Sequence, residues 1–137
     1  MEKRVKLLLV LTRLSDSMGK VVRARRPMAR VSVKDSVKIF RKIKNRPVTK
    51  VKTFLKNLIN QKNSIEGKFF TKAATEILDL IEEAEKNAES EGLDEERLFI
   101  KEATVNKGLR FYLPKSRWRH RGRRAKICQL NITLEER

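Results

Sequence analysis

The sequence predicts an α+β domain in which three helices pack on a small antiparallel sheet and a long β-hairpin arm protrudes from the body. Three observations carry this expectation. Between Ser32 and Ala88 apolar residues recur at helical intervals in three separate runs. After Asp94-Glu95-Glu96 the period changes to alternation, the mark of strands. Between the two alternating stretches lies Lys107 to Lys126, a segment of Arg, Lys and aromatics with no acid in it. At 137 residues the chain fits one domain, 1–137, since single domains cluster near roughly 100–150 residues.

The chain opens on MEKRVKLLLVLTRLSDS, whose basic start and apolar run Val5 to Leu11 imitate a signal peptide. Arg13 interrupts the run and no A-x-A cleavage pattern follows, so the segment is assigned to the mature fold. The first helix is expected from Ser32, where Ser32-x-x-Asp35 has capping-box spacing, with Val33, Val37, Phe40 and Ile43 on its apolar face. Asn45-Arg46-Pro47 breaks that helix. Pro47 suits the first position of the next one, carried by Val48, Val51, Leu55, Leu58 and Ile59.

Asn63-Ser64 and Gly67 mark the turn before a third, longer helix, for which Thr71 is the expected N-cap. Its apolar stripe is Ala73, Ala74, Ile77, Leu78, Ile81, Ala84 and Ala88, and Gly92 terminates it. Phe99, Ala103 and Val105 alternate with Ile100, Glu102 and Thr104 as one strand. Cys128, Leu130, Ile132 and Leu134 alternate with Gln129, Asn131 and Thr133 as another. The two are expected to pair as an antiparallel hairpin whose connection, 107–126, projects beyond the core.

Charge narrows the function. Lys and Arg outweigh Asp and Glu by 34 to 17, a net +17, and so much self-repulsion is relieved by a polyanionic partner. The charge comes in blocks. Fourteen cations against Asp35 alone run from Lys20 to Lys56, ten acids run from Glu76 to Glu96, and nine cations without an acid run from Lys107 to Lys126. The acidic helix face is expected to be solvated and to keep RNA off that side. An anionic membrane would need an amphipathic helix with aromatics on one face and cations on the other, and no such segment stands out.

Catalysis is hard to build here. His120 is the only histidine and sits among cations in WRHRGRR, while Cys128 occupies an inward strand position, unsuited to a nucleophile. One Cys and one His cannot supply the four ligands of a structural zinc, and no Gly-rich phosphate loop occurs. The chain is expected to be no enzyme and to need no cofactor or metal. Lone Cys128 can form no internal disulfide and reads as a buried structural thiol of a reducing compartment.

The arm is the most informative stretch. Arg117, Arg119, Arg121, Arg123 and Arg124 outnumber its lysines, and guanidinium groups fork onto phosphates and stack on bases. Phe111, Tyr112 and Trp118 add flat faces for unstacked bases. Trp118 lies among charges with no apolar neighbour within three residues, so burial against RNA suits it better than burial in protein. A basic tail without structure is the plainer alternative, but a strand follows the arm and tethers it at both ends.

Several blocks, in order, resemble the large-subunit ribosomal protein family called L-twenty-two in bacteria and L-seventeen in eukaryotes, in its archaeal and eukaryotic form. These are RVSVKDSVKIFRKIKN, GKFFTKAATEIL, KNAESEGLDEERLFIKEATVNKG, WRHRGR and NITLEE, together spanning Val31 to Glu136. Val33 stands where the family usually has Pro, the Asn60 to Lys68 connection is short, and the return strand looks abbreviated between Gly122 and Asn131. Either Val5 to Leu11 or Val21 to Arg25 corresponds to the family's opening strand. The resemblance implies a cytoplasmic, ribosome-bound α+β protein whose partners are large-subunit ribosomal RNA and other large-subunit proteins, with no small-molecule substrate.

It also implies that the arm, around Pro114, Lys115, Ser116, Arg117, Trp118, Arg119 and His120, lines the nascent-peptide exit tunnel and meets the nascent chain. Body contacts to phosphate are expected from Arg23, Arg25, Arg26, Arg30, Lys34, Lys38, Arg41 and Lys42. Deeper contacts are expected from Lys107, Arg110, Lys115, Arg117, Trp118, Arg119, His120, Arg121, Arg123, Arg124 and Lys126. The rival reading is a DNA-binding regulator using Ser32–Ile59 as a helix-turn-helix, in which the arm has no role. A secreted cationic protein is a third and weaker reading.

Overall fold

The computed structural model describes residues 20–114 and 122–137. Along the chain run strand β1 (Val21–Ala29), helices α1 (Val33–Ile43), α2 (Val48–Ile59) and α3 (Thr71–Ser90), a 3₁₀ turn at Glu95–Arg97, and strands β2 (Leu98–Tyr112) and β3 (Arg124–Glu136). The sheet has the order β1-β3-β2 and is antiparallel throughout. This is the expected α+β architecture. Val21 to Ala29 supplies the opening strand, while Val5 to Leu11 lies outside the described residues.

The core lies between one face of the sheet and the helices. Cys128, Leu130, Ile132 and Leu134 are fully buried, as their alternation on β3 requires, and they meet Val22 and Ala24 of β1 and Ile77, Leu80, Ile81 and Ala84 of α3 in one cluster. On α1 the buried positions are Ser36, Ile39, Phe40 and Ile43, with Val33 and Val37 only half-buried, so the helix is turned from the expected face. On α3, likewise, Leu80 is fully buried and Leu78 is partly exposed. In both helices neighbouring apolar positions compete for the core, and contact with the sheet decides between them.

The helix ends differ in detail from expectation. Ser32 occupies the N-cap of α1, yet its side chain makes no cap bond, so the capping box does not form. Pro47 is the N-cap of α2 and not its first helical residue, and it forms a bridge with Phe99 of β2. Phe70, in the left-handed region at φ 47°, precedes α3 where Thr71 was expected to cap it. The C-terminus of α3 closes as expected at Gly92, φ 72°. The Leu93 N–H donates to the Ala88 carbonyl and the Gly92 N–H to Glu89, the paired bonds of a Schellman motif.

Strand β2 changes face partway. Leu98 and Ile100 are buried, then a register shift between Ile100 and Glu102 inserts a residue, so that Ala103 and Val105 pack on the core side from the opposite parity. Ile100 therefore faces inward, against the expected alternation. The free edge of β2 is covered by the α1–α2 turn, where the Asn45 N–H donates to the Ile100 carbonyl and the Ile100 N–H donates to Arg46. The return strand is not abbreviated. β3 pairs with β2 from Arg124 opposite Tyr112 to Glu136 opposite Leu98.

Candidate nucleic-acid interface

The pairing of β2 with β3 outruns the body, so the hairpin arm leaves the core as a two-stranded ribbon. Leu109, Phe111, Tyr112 and Leu113 are exposed along it, Tyr112 at 72%, and Pro114 is exposed as well. At its root a register shift between Lys107 and Arg110 brings the strands together. A Cβ at Gly108 would stand 3.0 Å from the Ile127 carbonyl oxygen, closer than a side chain comfortably sits.

Beside that root lies the largest cleft among the described residues, about 620 Å³. Arg30 and Lys34 reach it from the β1–α1 connection, Lys107 and Arg110 from β2, and Arg124 and Lys126 from β3, while Val31, Val33 and Ile127 add apolar lining. No acid lines it. Arg30, Lys34, Lys107, Arg110 and Lys126 take part in none of the ion pairs among the described residues. The sixth cation, Arg124, lies over the Tyr112 ring at 5.0 Å on the cross-strand partner. Six of the residues expected to contact phosphate, distant in sequence, thus converge in one place.

The other expected contacts are dispersed. Arg23 and Arg25 alternate with buried Val22 and Ala24, so they project from the sheet face opposite the helices, across from Thr133 and Asn131. Asn131 Nδ2 donates to Thr104 Oγ1 at 3.4 Å there and accepts from Gln129 Nε2 at 3.2 Å, giving that face a polar ladder between the strands. Arg41 and Lys42 are exposed on α1. Lys38 is tied to Glu66 in the α2–α3 connection and lies 5.7 Å from the centre of the Phe70 ring. The hydrogen bond from Lys38 holds the Glu66 carboxyl below its ordinary range. Arg123 has its backbone carbonyl bonded by the Leu113 N–H at 3.0 Å. Lys115, Ser116, Arg117, Trp118, Arg119, His120 and Arg121 lie outside the described residues.

Arg26 faces the other way. Its guanidinium hydrogen-bonds Glu76 at 2.7 Å and Glu83, with Asp79 at 3.9 Å, clasping β1 to α3. Partial burial works against its charge, but the bonds to Glu76 and Glu83 outweigh that and raise its pKa. Lys52 is paired with Glu85 on the same helix. The acidic face of α3 is therefore partly engaged by the body's own cations and not simply solvated. Cys128 is fully buried, its thiol donating to the Ala29 carbonyl oxygen at 3.6 Å, and burial pushes its pKa up, away from nucleophilic use.

A sheet with helices on one side, acids turned inward on one helix and unpaired cations gathered at the root of a basic ribbon describe a small protein built to lie against a polyanion. The chain belongs to the ribosomal protein L22p/L17e family, whose model matches residues 24–135. Among curated relatives, the large ribosomal subunit protein uL22 of Methanopyrus kandleri is 32% identical over 130 residues, covering 79% of this chain and 82% of that one. The protein of the same name from Methanoculleus marisnigri is 32% identical over 85% of this chain and 90% of its own length. That of Thermoplasma acidophilum is 29% identical over 86% and 90%. These matches set aside the helix-turn-helix reading of α1 and α2.

Proposed function

We infer that this chain is a structural constituent of the large ribosomal subunit, where it binds and organises ribosomal RNA alongside other large-subunit proteins in the cytoplasm. It is a structural component and not an enzyme. Its residues 1–137 act as one domain, with 107–126 as the arm. The observation that carries the reading is the set of cations at the arm's root, drawn from three segments and left unpaired by the body's acids, in a chain of this family. Arg23, Arg25, Arg30, Lys34, Arg41 and Lys42 serve the body contacts, and Lys107, Arg110, Arg124 and Lys126 the root. The segment from Pro114 to His120 reaches the exit tunnel and meets the nascent peptide, as the family resemblance implies.

The tagged full chain, expressed in a related archaeal host, is expected to co-sediment with the large subunit and to leave it only in high salt. Recovery as a free, DNA-bound species would overturn the reading. For the arm, a photo-crosslinker at Ser116 is expected to capture a stalled nascent chain. Capture of other ribosomal proteins alone would remove the tunnel from the proposal.

A further inference from the structure

We propose that the cleft at the arm's root is a seat for one unpaired RNA nucleotide, its base against Val31 and Val33 and its flanking phosphates on Arg30, Lys34, Lys107, Arg110 and Lys126. The proposal rests on the RNA-binding reading above and specifies what that RNA presents to this site. A trough for a duplex backbone needs cations alone and an open floor. This cleft combines six cations with the apolar lining of Val31, Val33 and Ile127, and Gly108 withholds a side chain from it. Its volume, about 620 Å³, lies in the range of small-ligand sites, roughly 300–1,000 Å³. An A-form helix is too wide to enter, and its bases stay stacked away from side chains. An extruded nucleotide fits.

Electrostatics agrees with an anionic occupant. The first turn of α1 opens on the cleft through Ser32, Val33 and Lys34, so its unbonded N–H groups add positive potential to that of the side chains. Asp35, the acid of that turn, lines a neighbouring groove with Phe70 and Thr71 and not this cleft. Arg124, lying over Tyr112, puts a flat cation at the cleft margin, where the plane of a second base can stack.

The test uses the full chain with two probes, a single-stranded RNA hexamer carrying 2-aminopurine at its centre and a short blunt RNA duplex. Val33→Phe fills the apolar side of the cleft without changing charge. Val33 is half-buried at the start of α1, and circular dichroism verifies that the variant is folded. The wild-type chain is expected to shift the 2-aminopurine emission on binding. Val33→Phe is expected to abolish the shift and weaken hexamer binding about tenfold, with duplex affinity and salt dependence unchanged.

A second measurement avoids any variant: 4-thiouridine in the hexamer is expected to crosslink to the peptide containing Val31 to Lys34. Equal hexamer affinity in wild type and Val33→Phe, or crosslinks confined to other peptides, would overturn the nucleotide seat while leaving RNA binding intact. Loss of salt-dependent binding to both probes in the wild type would instead overturn the broader reading.

Discussion

Arg26 and Lys34 carry the same charge, yet the fold gives them opposite duties. Arg26 sits on the core-side parity of β1, where Glu76 and Glu83 take its guanidinium and hold the strand to α3. Lys34 sits on the exposed side of α1, faces the cleft and pairs with no acid among the described residues. The roles separate experimentally. Arg26→Ala removes the clasp and leaves three carboxylates close together, so it is expected to lower unfolding stability by about 1 kcal/mol, the upper range for partly exposed pairs. It is expected to leave the salt slope of RNA binding unchanged. Lys34→Ala is expected to do the reverse, reducing that slope by about one with stability unaltered. Urea unfolding and RNA titration at several salt concentrations, run on both variants, check the pair. If Arg26→Ala changes the slope as Lys34→Ala does, the clasp is not the role of Arg26.

At the scale of elements, what was legible in the sequence is what local chemistry decides, and Gly92 shows it. Only glycine takes φ 72° without strain, and Leu93 beyond it packs back on α3, so the stop was written into two adjacent residues. Gly92→Ala is expected to cost about 1 kcal/mol and to speed amide exchange at Leu93. Unchanged exchange there would mean that the Schellman bonds do not hold the helix end. The alternation of β3 was legible for the same reason, being decided by period alone.

The rest depended on partners. Ile39 over Val37 and Leu80 over Leu78 are choices between neighbouring apolar positions that only the facing sheet settles. The inserted residue after Ile100 reverses the parity of β2 and leaves no mark in composition. Thr71 has cap chemistry, but the chain enters α3 through a left-handed Phe70, so the chemistry is bypassed. In the candidate site, Arg30, Lys34, Lys107, Arg110, Arg124 and Lys126 were each legible as cations. Their convergence was not, because it needs the arm's root to fold back beside the start of α1. Nor was the commitment of Arg26 and Lys52 to α3, which pairing across the fold alone creates.

For the whole molecule, the net +17 acts on folding and on binding with opposite signs. The folded chain holds like charges together at the cleft and along the arm, so self-repulsion destabilises it when no anion is present, and added salt relieves that. The same salt competes with RNA phosphates. If about eight phosphates are neutralised, affinity falls by about four decades between about 50 and 200 mM salt. Raising salt over that interval is therefore expected to move the urea midpoint of the free protein upward while weakening its RNA complex. Because one core joins the sheet to all three helices, the transition is expected to be single, with fluorescence and circular dichroism coincident. Saturating RNA at low salt is expected to raise the midpoint as salt does, since it supplies the missing anions and binds only the folded state. A midpoint that falls with salt would show that the internal ion pairs, Arg26 with α3 foremost, outweigh the unpaired cations, and the balance of charge argued for this fold would then be wrong.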